Sequence, residues 1–267
     1  MRIIAGPCQH ETLEHSLLIA KHCAEVCAKH DIEYIFKASY DKANRSSTVG
    51  KRGQGLASTM TDFYQLKQQL PSLKILTDVH TAEQIEEIMQ WYHECVDVFQ
   101  IPAFLCRQTD LIQTACRTDK IVNIKKGQFL APWDVAGILS KTTDAKEVWI
   151  TERGTSFGYN TLVVDFRSLP QLQSFGCPVI FDATHSVQQP GGQGGTSGGQ
   201  REYVSPLARA AVAVGVDGLF MEIHPNPDEA MSDGPNMLPL HRLEPLLKQL
   251  LAIRAPLLET GPMPSSF

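Results

Sequence analysis

Short runs of apolar, often β-branched residues recur along the chain, and longer segments with apolar positions at helical spacing separate them. The distance from one apolar run to the next averages about thirty residues. The apolar runs predict eight strands: Arg2–Cys8, Glu33–Ser39, Leu73–His80, Val96–Ala103, Lys120–Lys126, Glu147–Gly154, Pro178–Ser186 and Gly218–Pro225. The amphipathic segments predict helices, among them Leu13–Lys29, Ala57–Gln69, Ala82–Tyr92, Thr109–Arg117, Tyr203–Val214 and Leu238–Arg254. Eight strands alternating with helices are the number that a closed parallel barrel requires.

The predicted strands share a second feature, because nearly every one ends in a polar or charged side chain. These strand-end residues are Cys8, Lys37, Asp78 with His80, Gln100, Lys125, Arg153, His185 and Glu222. A charged group at the end of a buried strand is unfavourable unless it faces a polar site. An open doubly wound sheet collects its ligand residues at one switch point, whereas a (β/α)8 barrel brings all strand ends to one mouth. We therefore predict a single-domain (β/α)8 TIM barrel over residues 1–254, followed by a flexible, proline-containing tail at 255–267.

Composition narrows the class of protein and its location. The 267 residues carry a net charge of −5, so the molecule as a whole is not suited to bind nucleic acid or an anionic membrane. No run of 18 or more apolar residues is present, and the first residues do not form a signal peptide. Seven scattered cysteines without paired spacing indicate reduced thiols. These observations predict a cytoplasmic protein.

A basic segment follows the second predicted strand. Between Lys37 and Arg52 the chain has five basic residues and one acid, together with several hydroxyl groups. Such a segment suits a phosphate dianion, although a solvated basic loop would explain any single lysine in it. Lys125 and Arg153 end otherwise apolar strands, which surface exposure does not explain, and Arg107 and Lys126 lie nearby in sequence. Taken together, these cations predict more than one bound phosphate or carboxylate group.

Four further residues form a candidate metal site. Cys8, His185 and Glu222 end the first, seventh and eighth predicted strands, which are neighbours in a closed barrel, and Asp233 follows the eighth. One thiolate, one imidazole and two carboxylates suit Zn²⁺, Fe²⁺, Mn²⁺ or Co²⁺, whereas a thiolate does not suit Mg²⁺ or Ca²⁺. The alternative is a buried free cysteine beside an ion-paired histidine. The histidines at positions 10, 15, 22 and 30 are interpreted as surface or helix-face residues without an assigned role.

Several long motifs resemble one enzyme family in order and content. They are Ala5–Cys8, Phe36–Ser47, Gln100–Asp110, Asn123–Phe129, Glu152–Gly154, Phe157–Asn160, Asp182–Ser186 and Phe220–Pro225. The chain is thereby similar to the 3-deoxy-D-manno-octulosonate 8-phosphate synthases (KDO 8-phosphate synthases) from its start to about Arg254. The resemblance implies a (β/α)8 barrel, usually a homotetramer, that condenses phosphoenolpyruvate with D-arabinose 5-phosphate and water for lipopolysaccharide biosynthesis.

The resemblance also assigns roles to residues by matched motif. Phosphoenolpyruvate would contact Lys37, Lys42, Gln100, Ala103, Lys125 and Arg153. The sugar phosphate would contact Asn44, Arg45 and Ser46, with Asp78 at the sugar hydroxyls and Arg107 reaching in from a neighbouring subunit. Lys42, Lys125, His185 and Asp233 would be the catalytic groups. Cys8 stands where metal-independent members have Asn, which implies the metal-dependent class with the ligands Cys8, His185, Glu222 and Asp233.

Two other functions stay open from the sequence. A 3-deoxy-D-arabino-heptulosonate 7-phosphate synthase would use erythrose 4-phosphate, but its sugar-phosphate loop typically reads Pro-Arg-Thr-Ser where this chain has Ala43 to Ser47 with Asn at 44. A non-catalytic barrel that binds sugar phosphates is the other alternative. The glycine-rich segment 188–200 is predicted to be a flexible loop that closes over the substrates.

Overall fold

Eight parallel strands close into a barrel in the structure, a computed structural model that describes residues 1–43, 52–192 and 197–261. The strands are β1 (Arg2–Gly6), β2 (Glu33–Lys37), β3 (Lys74–Asp78), β4 (Val98–Ile101), β5 (Ile121–Lys125), β6 (Val148–Glu152), β7 (Val179–Asp182) and β8 (Gly218–His224). Each strand pairs with the next, and β1 also pairs with β8, with Arg2 opposite both Glu33 and Gly218. The predicted single-domain (β/α)8 architecture is thus confirmed.

Helices on the outside of the barrel connect the strands. They are α1 (Leu13–Ala28), α2 (Leu56–Gln69), α3 (Ala82–Trp91), α4 (Thr109–Cys116), α5 (Val135–Leu139), α6 (Ser168–Gln173), α7 (Val204–Val214) and α8 (Leu243–Thr260). Local sequence sets several of their ends. The Thr12 side chain accepts the His15 N–H at 3.1 Å and caps α1, and Thr81 with Gln84 forms a capping box at α3. Gly215, at φ 101°, ends α7 in the left-handed conformation that glycine adopts without strain.

The barrel interior has an apolar lower layer. One inward-facing side chain from each of seven strands forms a separate buried cluster: Ile4, Ile35, Leu76, Val98, Trp149, Ile180 and Phe220. Strand side chains alternate between the two faces, so the residue two positions later points the same way. Those later positions hold Gly6, Lys37, Asp78, Gln100, Thr151, Asp182 and Glu222. In six of these seven strands, all but β1, the inward face therefore changes from an apolar to a polar side chain within two residues.

The C-terminal helix differs from the predicted one. Leu238 and Pro239 are extended and pair with β8, because a residue before proline is disfavoured in the helical conformation. Helix α8 then begins at Leu243 and continues to Thr260, so positions 255–260 of the predicted flexible tail are helical. Apolar positions at Leu250 and Leu257 continue the helical spacing past the predicted boundary. Residues 262–267 lie outside the described residues.

Two short hairpins lie above the barrel. Residues 155–156 pair antiparallel with 162–163, and residues 188–189 pair antiparallel with 198–199. The second hairpin forms the base of the glycine-rich segment, whose positions 193–196 lie outside the described part of the chain. Within the described ranges, no helix is both long and apolar enough to cross a membrane.

Candidate active site

The carboxyl ends of the strands bring the predicted polar residues to one mouth of the barrel. Lys37, Asp78, Gln100, Lys125, Arg153 and Glu222 are all buried, with at most 6% of any of them exposed. Buried charges of both signs at this density require partners. The mouth has two parts. Cys8, His185, Glu222 and Asp233 form a potential metal-binding wall near β1, β7 and β8. Lys37, Lys42, Lys125 and Arg153 form a cationic wall between β2 and β6.

The metal-binding wall joins four predicted ligands. One potential ligand atom from each of Cys8, His185 and Asp233 lies within 4.8 Å of the others. The Cys8 thiol donates to Asp233 Oδ2 at 3.0 Å, and His185 Nε2 is 3.9 Å from that oxygen and 3.8 Å from Glu222 Oε1. Glu222 Oε2 is buried and has no hydrogen-bond partner among the described residues. Because a lone buried carboxylate oxygen is unfavourable, these side chains fit a divalent transition metal.

The charges in this wall are set by burial and by neighbouring cations. Burial, and next the charge of Glu222, raises the pKa of the Cys8 thiol above its usual value. Burial would also raise the pKa of Asp233, but the charges of His185 and Lys42 outweigh it and lower the pKa. Asp233 is thus ionised at neutral pH and accepts a hydrogen bond from the neutral thiol of Cys8. A bound metal ion would oppose the effect of burial on the thiol, because metals stabilise thiolates.

Asp233 also has an uncommon backbone conformation. Its φ is 56° and its ψ is 17°, in the left-handed region that non-glycine residues rarely adopt. Such strain persists only where surrounding contacts hold it in place, and it concentrates at functional sites. Here Oδ1 of Asp233 accepts a 2.8 Å hydrogen bond from Gln188 Nε2, at the base of the glycine-rich segment.

Asp182 orients His185, a role that the sequence interpretation did not assign. Burial would raise the pKa of Asp182, but His185 and Lys125 outweigh burial and lower it, so the carboxylate is ionised. His185 Nδ1 lies 2.8 Å from Asp182 Oδ2 and therefore donates to it, which directs Nε2 towards Asp233. Thr184 caps the other carboxylate oxygen through its N–H and hydroxyl groups. The sequence signal that could have identified Asp182 is its position three residues before His185, a histidine at the end of a predicted strand.

Lys125 belongs to the cationic wall and also contacts Asp182, the carboxylate that orients His185. Its Nζ donates to Asp182 and lies 3.2 Å from the centre of the Phe220 ring. Burial lowers the pKa of Lys125 to about 8, against the raising effect of Asp182. The ammonium therefore remains charged at neutral pH and is held by a carboxylate beneath the mouth and by a ring face.

Three other cations face the mouth. Lys37 Nζ donates to the Cys8 carbonyl at 2.7 Å and to Glu222 Oε1 at 3.0 Å, which links the cationic wall to the metal-binding wall. Burial alone would lower the pKa of Lys42, but the acidic groups around it, with Cys8 and Asp78 foremost, raise it. Arg153 donates through Nη2 to Gln188 at 2.9 Å.

The second terminal guanidinium nitrogen of Arg153, Nη1, indicates which chemical groups the mouth could bind. Its Nη1 is buried and has no hydrogen-bond partner in residues 1–43, 52–192 and 197–261. A buried donor on a cation is left unpaired only at a substantial cost in free energy. An anionic group bound beside Arg153 would remove that cost, and phosphate and carboxylate oxygens match a guanidinium best.

Two polar side chains at the mouth are fixed by neighbours beneath them. Thr151 donates to Asn123 Oδ1 at 2.6 Å, and the Asn123 amide donates to Gln100 Oε1 at 3.1 Å, which leaves the Gln100 NH₂ group as the available donor. Asp78 accepts from the Ser39 hydroxyl. Burial would raise the pKa of Asp78, but His80 Nε2, 3.2 Å from Asp78 Oδ2, and the charge of Lys37 lower it. Asp78 is therefore an ionised acceptor.

Lys126 does not belong to the anion-binding set, contrary to the sequence interpretation. It follows Lys125 directly, so strand alternation turns its side chain away from the mouth. Its Nζ donates to the Leu130 carbonyl at 3.0 Å and lies 3.5 Å from Glu152 Oε2, and only 1% of the residue is exposed. Glu152 in turn accepts from the Gly154 N–H at 2.7 Å. This buried pair holds the loops that follow β5 and β6.

Two of the residues predicted to contact substrate follow β4 instead of ending a strand. Ala103 lies in a short 3₁₀ turn after β4, and Arg107 is exposed beyond that turn. Asn44, Arg45 and Ser46, assigned to the sugar phosphate, lie outside the described residues.

A second group of potential ligands contains a histidine that a main-chain hydrogen bond holds in a tautomer unsuited to a metal. Ligand atoms of Glu11, His15 and His224 lie within 4.8 Å of one another. However, His224 Nδ1 accepts the Asn226 N–H at 3.0 Å, so Nε2 carries the ring proton and faces Glu11 Oε1 at 3.5 Å. A nitrogen that carries a proton is not available to a metal.

Comparison with known proteins identifies one matching family and several similar proteins that share one name. Residues 1–257 match the model of the DAHP synthetase I family. A protein of Bradyrhizobium diazoefficiens named 2-dehydro-3-deoxyphosphooctonate aldolase is 56% identical over 256 residues, which cover 95% of this chain and 89% of that protein. Proteins of the same name from Cyanothece sp. and Nitrobacter hamburgensis are 54% and 57% identical, over 96% of this chain and 92% and 88% of theirs.

Proposed function

This chain belongs to the DAHP synthetase I family, and from that premise we propose that it condenses phosphoenolpyruvate with D-arabinose 5-phosphate and water. The products are 3-deoxy-D-manno-octulosonate 8-phosphate and inorganic phosphate. The relatives named 2-dehydro-3-deoxyphosphooctonate aldolase favour this reaction over the heptulosonate alternative with erythrose 4-phosphate. Such an enzyme acts in lipopolysaccharide biosynthesis.

One observation carries the proposal. Lys37, Lys125 and Arg153 converge at one buried mouth, and Arg153 Nη1 has no partner among the residues that the structure describes. Both substrates are polyanions, so binding them together requires cations that offset their mutual repulsion. Phosphoenolpyruvate is assigned to this cationic wall, with Lys42, Gln100 and Ala103. Arabinose 5-phosphate is assigned to the side of Asp78, which accepts hydrogen bonds from its hydroxyls, with its phosphate at Asn44, Arg45 and Ser46.

The chain's own residues supply position and charge for the reaction. Carbon C3 of phosphoenolpyruvate bonds to the aldehyde carbon, whose oxygen takes up a proton as it becomes a hydroxyl. Water adds at C2, loses a proton, and gives a tetrahedral bisphosphate intermediate, from which C–O cleavage expels phosphate. Lys42 and Lys125 stabilise the charge that develops during these steps, and the ionised Asp233 is a hydrogen-bond acceptor that can orient a reacting group in the mouth. Gln188, in the hairpin at the base of segment 188–200, is hydrogen-bonded to both Arg153 and Asp233. The position of this loop therefore depends on both residues.

We assign a divalent transition metal, Zn²⁺, Fe²⁺, Mn²⁺ or Co²⁺, to Cys8, His185, Glu222 and Asp233, and we therefore propose that the chain belongs to the metal-dependent class. Two observations support this assignment. Oε2 of Glu222 has no hydrogen-bond partner among the described residues, and the Cys8 thiol lies among carboxylates. When bound, such an ion supplies Lewis-acid stabilisation of an oxygen or of an attacking water. Asp182 holds His185 in the tautomer that a metal requires.

The reaction is tested by following phosphate release with each aldose. We expect turnover with arabinose 5-phosphate and at least about a hundredfold lower kcat/KM with erythrose 4-phosphate, since a shorter sugar leaves polar groups of the site unpaired. Arg153→Met should abolish most turnover, whereas Arg209→Met, on the outer helix α7, is the matched control. Tight phosphoenolpyruvate binding without turnover would instead support the non-catalytic barrel.

The metal is tested separately. Chelator-treated protein should lose activity and regain it with Zn²⁺, Mn²⁺, Fe²⁺ or Co²⁺. Cys8→Asn should remove the dependence on metal if the remaining residues position the substrates alone. Full activity of the wild-type protein after complete metal removal, verified by elemental analysis, would overturn the metal assignment without affecting the assigned reaction.

We also propose a homotetramer in which Arg107 reaches the site of a neighbouring subunit. The loops after β4, β5 and β6 expose large aromatic side chains, namely Phe104, Phe129, Trp133 and Phe157. Exposed apolar surface of this kind is typical of subunit contacts. Mixing inactive Arg107→Ala and Arg153→Met subunits should restore part of the activity, because mixed sites combine intact residues. A fully active monomer in analytical ultracentrifugation would contradict the proposal.

The cytoplasm is the proposed location. All seven cysteines lie in the described ranges, and none of them forms a disulfide. Free thiols in this number are typical of a reducing compartment.

A further inference from the structure

His10 is buried at the junction of three elements, where the sequence alone suggested a surface residue. Only 1% of it is exposed. Its Nδ1 lies 2.8 Å from the Ser16 hydroxyl in α1, and its Nε2 lies 2.8 Å from Asp62 Oδ2 in α2. With Nε2 donating to the carboxylate, Nδ1 accepts from the hydroxyl, so both ring nitrogens are satisfied.

These three residue types also form hydrolytic triads, but that function does not fit here. Ser16 is completely buried inside α1, and no substrate carbonyl can approach its hydroxyl. The edge of the His10 ring also packs against Phe63, with centroids 5.7 Å apart and planes at 80°. The arrangement is therefore a rigid connection between a loop and two helices.

The loop held by His10 is the one that carries Cys8. On its β2 side, the Cys8 carbonyl accepts from the Ser39 N–H at 3.1 Å, and the His10 N–H donates to the Ser39 carbonyl at 2.9 Å. On its helix side, the ring of His10 anchors the loop to Ser16 and Asp62. The main chain on both sides of Gln9 is thus fixed, and with it the direction of the Cys8 side chain.

We propose that His10 is a positioning residue that sets the affinity of the Cys8 site for a divalent transition metal. This inference rests on the proposed metal assignment. Asp62 and Ser16 act through His10 and touch no substrate. Removal of a residue that orients a metal ligand without touching the metal typically lowers metal affinity by about ten- to a hundredfold. A thiolate ligand on a loosened loop would bind more weakly because binding must then also order the loop.

The test uses substitutions in α2, away from the metal-binding wall. Asp62→Leu removes the acceptor of the His10 Nε2–H group, whereas Asp62→Asn retains an acceptor oxygen. Gln65→Leu, at an exposed position of the same helix, is the matched control. Metal-free full-length proteins are titrated with Co²⁺ against a competing chelator, and the thiolate-to-cobalt absorption band is recorded with the dissociation constant.

We expect Asp62→Leu to bind Co²⁺ about tenfold more weakly with a weaker or shifted thiolate band, and the other two variants to stay within about twofold of wild type. Equal Co²⁺ affinity and an unchanged band in Asp62→Leu would overturn the inference, as would an equal loss in Asp62→Asn. If Asp62→Leu does not fold, Ser16→Ala removes the other partner of His10 and gives the same test. A wild-type protein without a thiolate band, or a band that persists in Cys8→Ser, would instead overturn the metal assignment itself.

Discussion

The lower layer and the mouth of the barrel are built from the same strands but from opposite chemistry. In β2 the inward-facing Ile35 belongs to the apolar cluster, and two positions later Lys37 binds Glu222. In β8 the same step leads from Phe220 to Glu222. Two residues along a strand therefore separate a side chain in the apolar layer from one in the polar mouth.

The difference lies in how each layer balances its free energy. The lower layer gains from burial of apolar surface and from close packing. The mouth buries charges, and it leaves Arg153 Nη1 and Glu222 Oε2 without partners in the described part of the chain. Bound substrate and metal would provide those partners. We therefore expect substitutions in the two layers to separate activity from stability.

The largest effect is expected for Arg153→Met. Loss of the buried guanidinium that we assign to an anionic group of phosphoenolpyruvate should lower kcat/KM by about a thousandfold, or about 4 kcal/mol. The free energy of unfolding should stay unchanged or rise, because methionine fills similar volume without an unpaired charge. Steady-state kinetics and urea unfolding measure the two quantities. A large loss of stability would show that the mouth also carries the fold.

The converse substitution is Ile35→Ala in the lower layer. It should lower the free energy of unfolding by about 3 kcal/mol, because it removes buried methyl groups and leaves a cavity. The folded fraction should retain kcat/KM within about threefold, since a nearby cavity shifts the positioned groups only slightly. Urea unfolding with kinetics below the transition tests this. A loss of activity as large as that of Arg153→Met would remove the distinction between the layers.

Much of the fold followed from the pattern of apolar residues, because strand alternation and helical spacing are local properties. Eight strands and the closed barrel were predicted from them and are confirmed. The start of α8 was wrong, because Pro239 holds Leu238 extended against β8. Its end was wrong because the tail was judged from its prolines, although apolar spacing continues to Leu257.

The site was predictable where a charge ended a strand, and less so where a residue acts through another. Lys37 and Glu222 were found because an apolar strand ending in a charge needs a reason. Asp182, His10 and Gln188 were missed, since their roles depend on contacts between distant segments. Lys126 was misassigned because the sequence places it beside Lys125, whereas alternation sends the two side chains to opposite faces.

A smaller effect is expected from pH at the mouth. A lysine in an unfolded chain keeps its proton to a pKa of about 10.4, but burial lowers the pKa of Lys125 to about 8. As pH rises through that value, the ammonium loses its charge and its attraction for phosphoenolpyruvate. We expect kcat/KM to fall up to about tenfold per pH unit above the pKa, or about 1.4 kcal/mol per unit. Lys125→Met should be much less active and lack this alkaline limb, and an identical limb in that variant would assign it to another group.

The smallest effect is expected when the first of two aspartates with similar positive φ angles, at opposite ends of the barrel, is replaced by glycine. Asp31, before β2, has φ 52°, and Asp233, after β8, has φ 56°. The left-handed conformation costs an L-residue about 1–2 kcal/mol, and glycine avoids that strain but adds about 0.5–1 kcal/mol of chain entropy. Asp31→Gly should therefore raise the free energy of unfolding by about 0.5 kcal/mol and leave kcat/KM unchanged, because Asp31 is exposed and precedes the start of β2, at the end of the barrel opposite the mouth.

The same change at Asp233 relieves the same strain but removes the acceptor of the Cys8 and Gln188 hydrogen bonds. We expect Asp233→Gly to lose metal binding and most activity, whatever its stability in urea. Both variants relieve the strain of a positive φ and remove a carboxylate. They differ only in what surrounds that carboxylate in the wild-type protein. If Asp233→Gly retained activity while Asp31→Gly lost it, the strain at Asp233 would have no connection with function, and the mouth would differ from the lower end of the barrel in polarity alone.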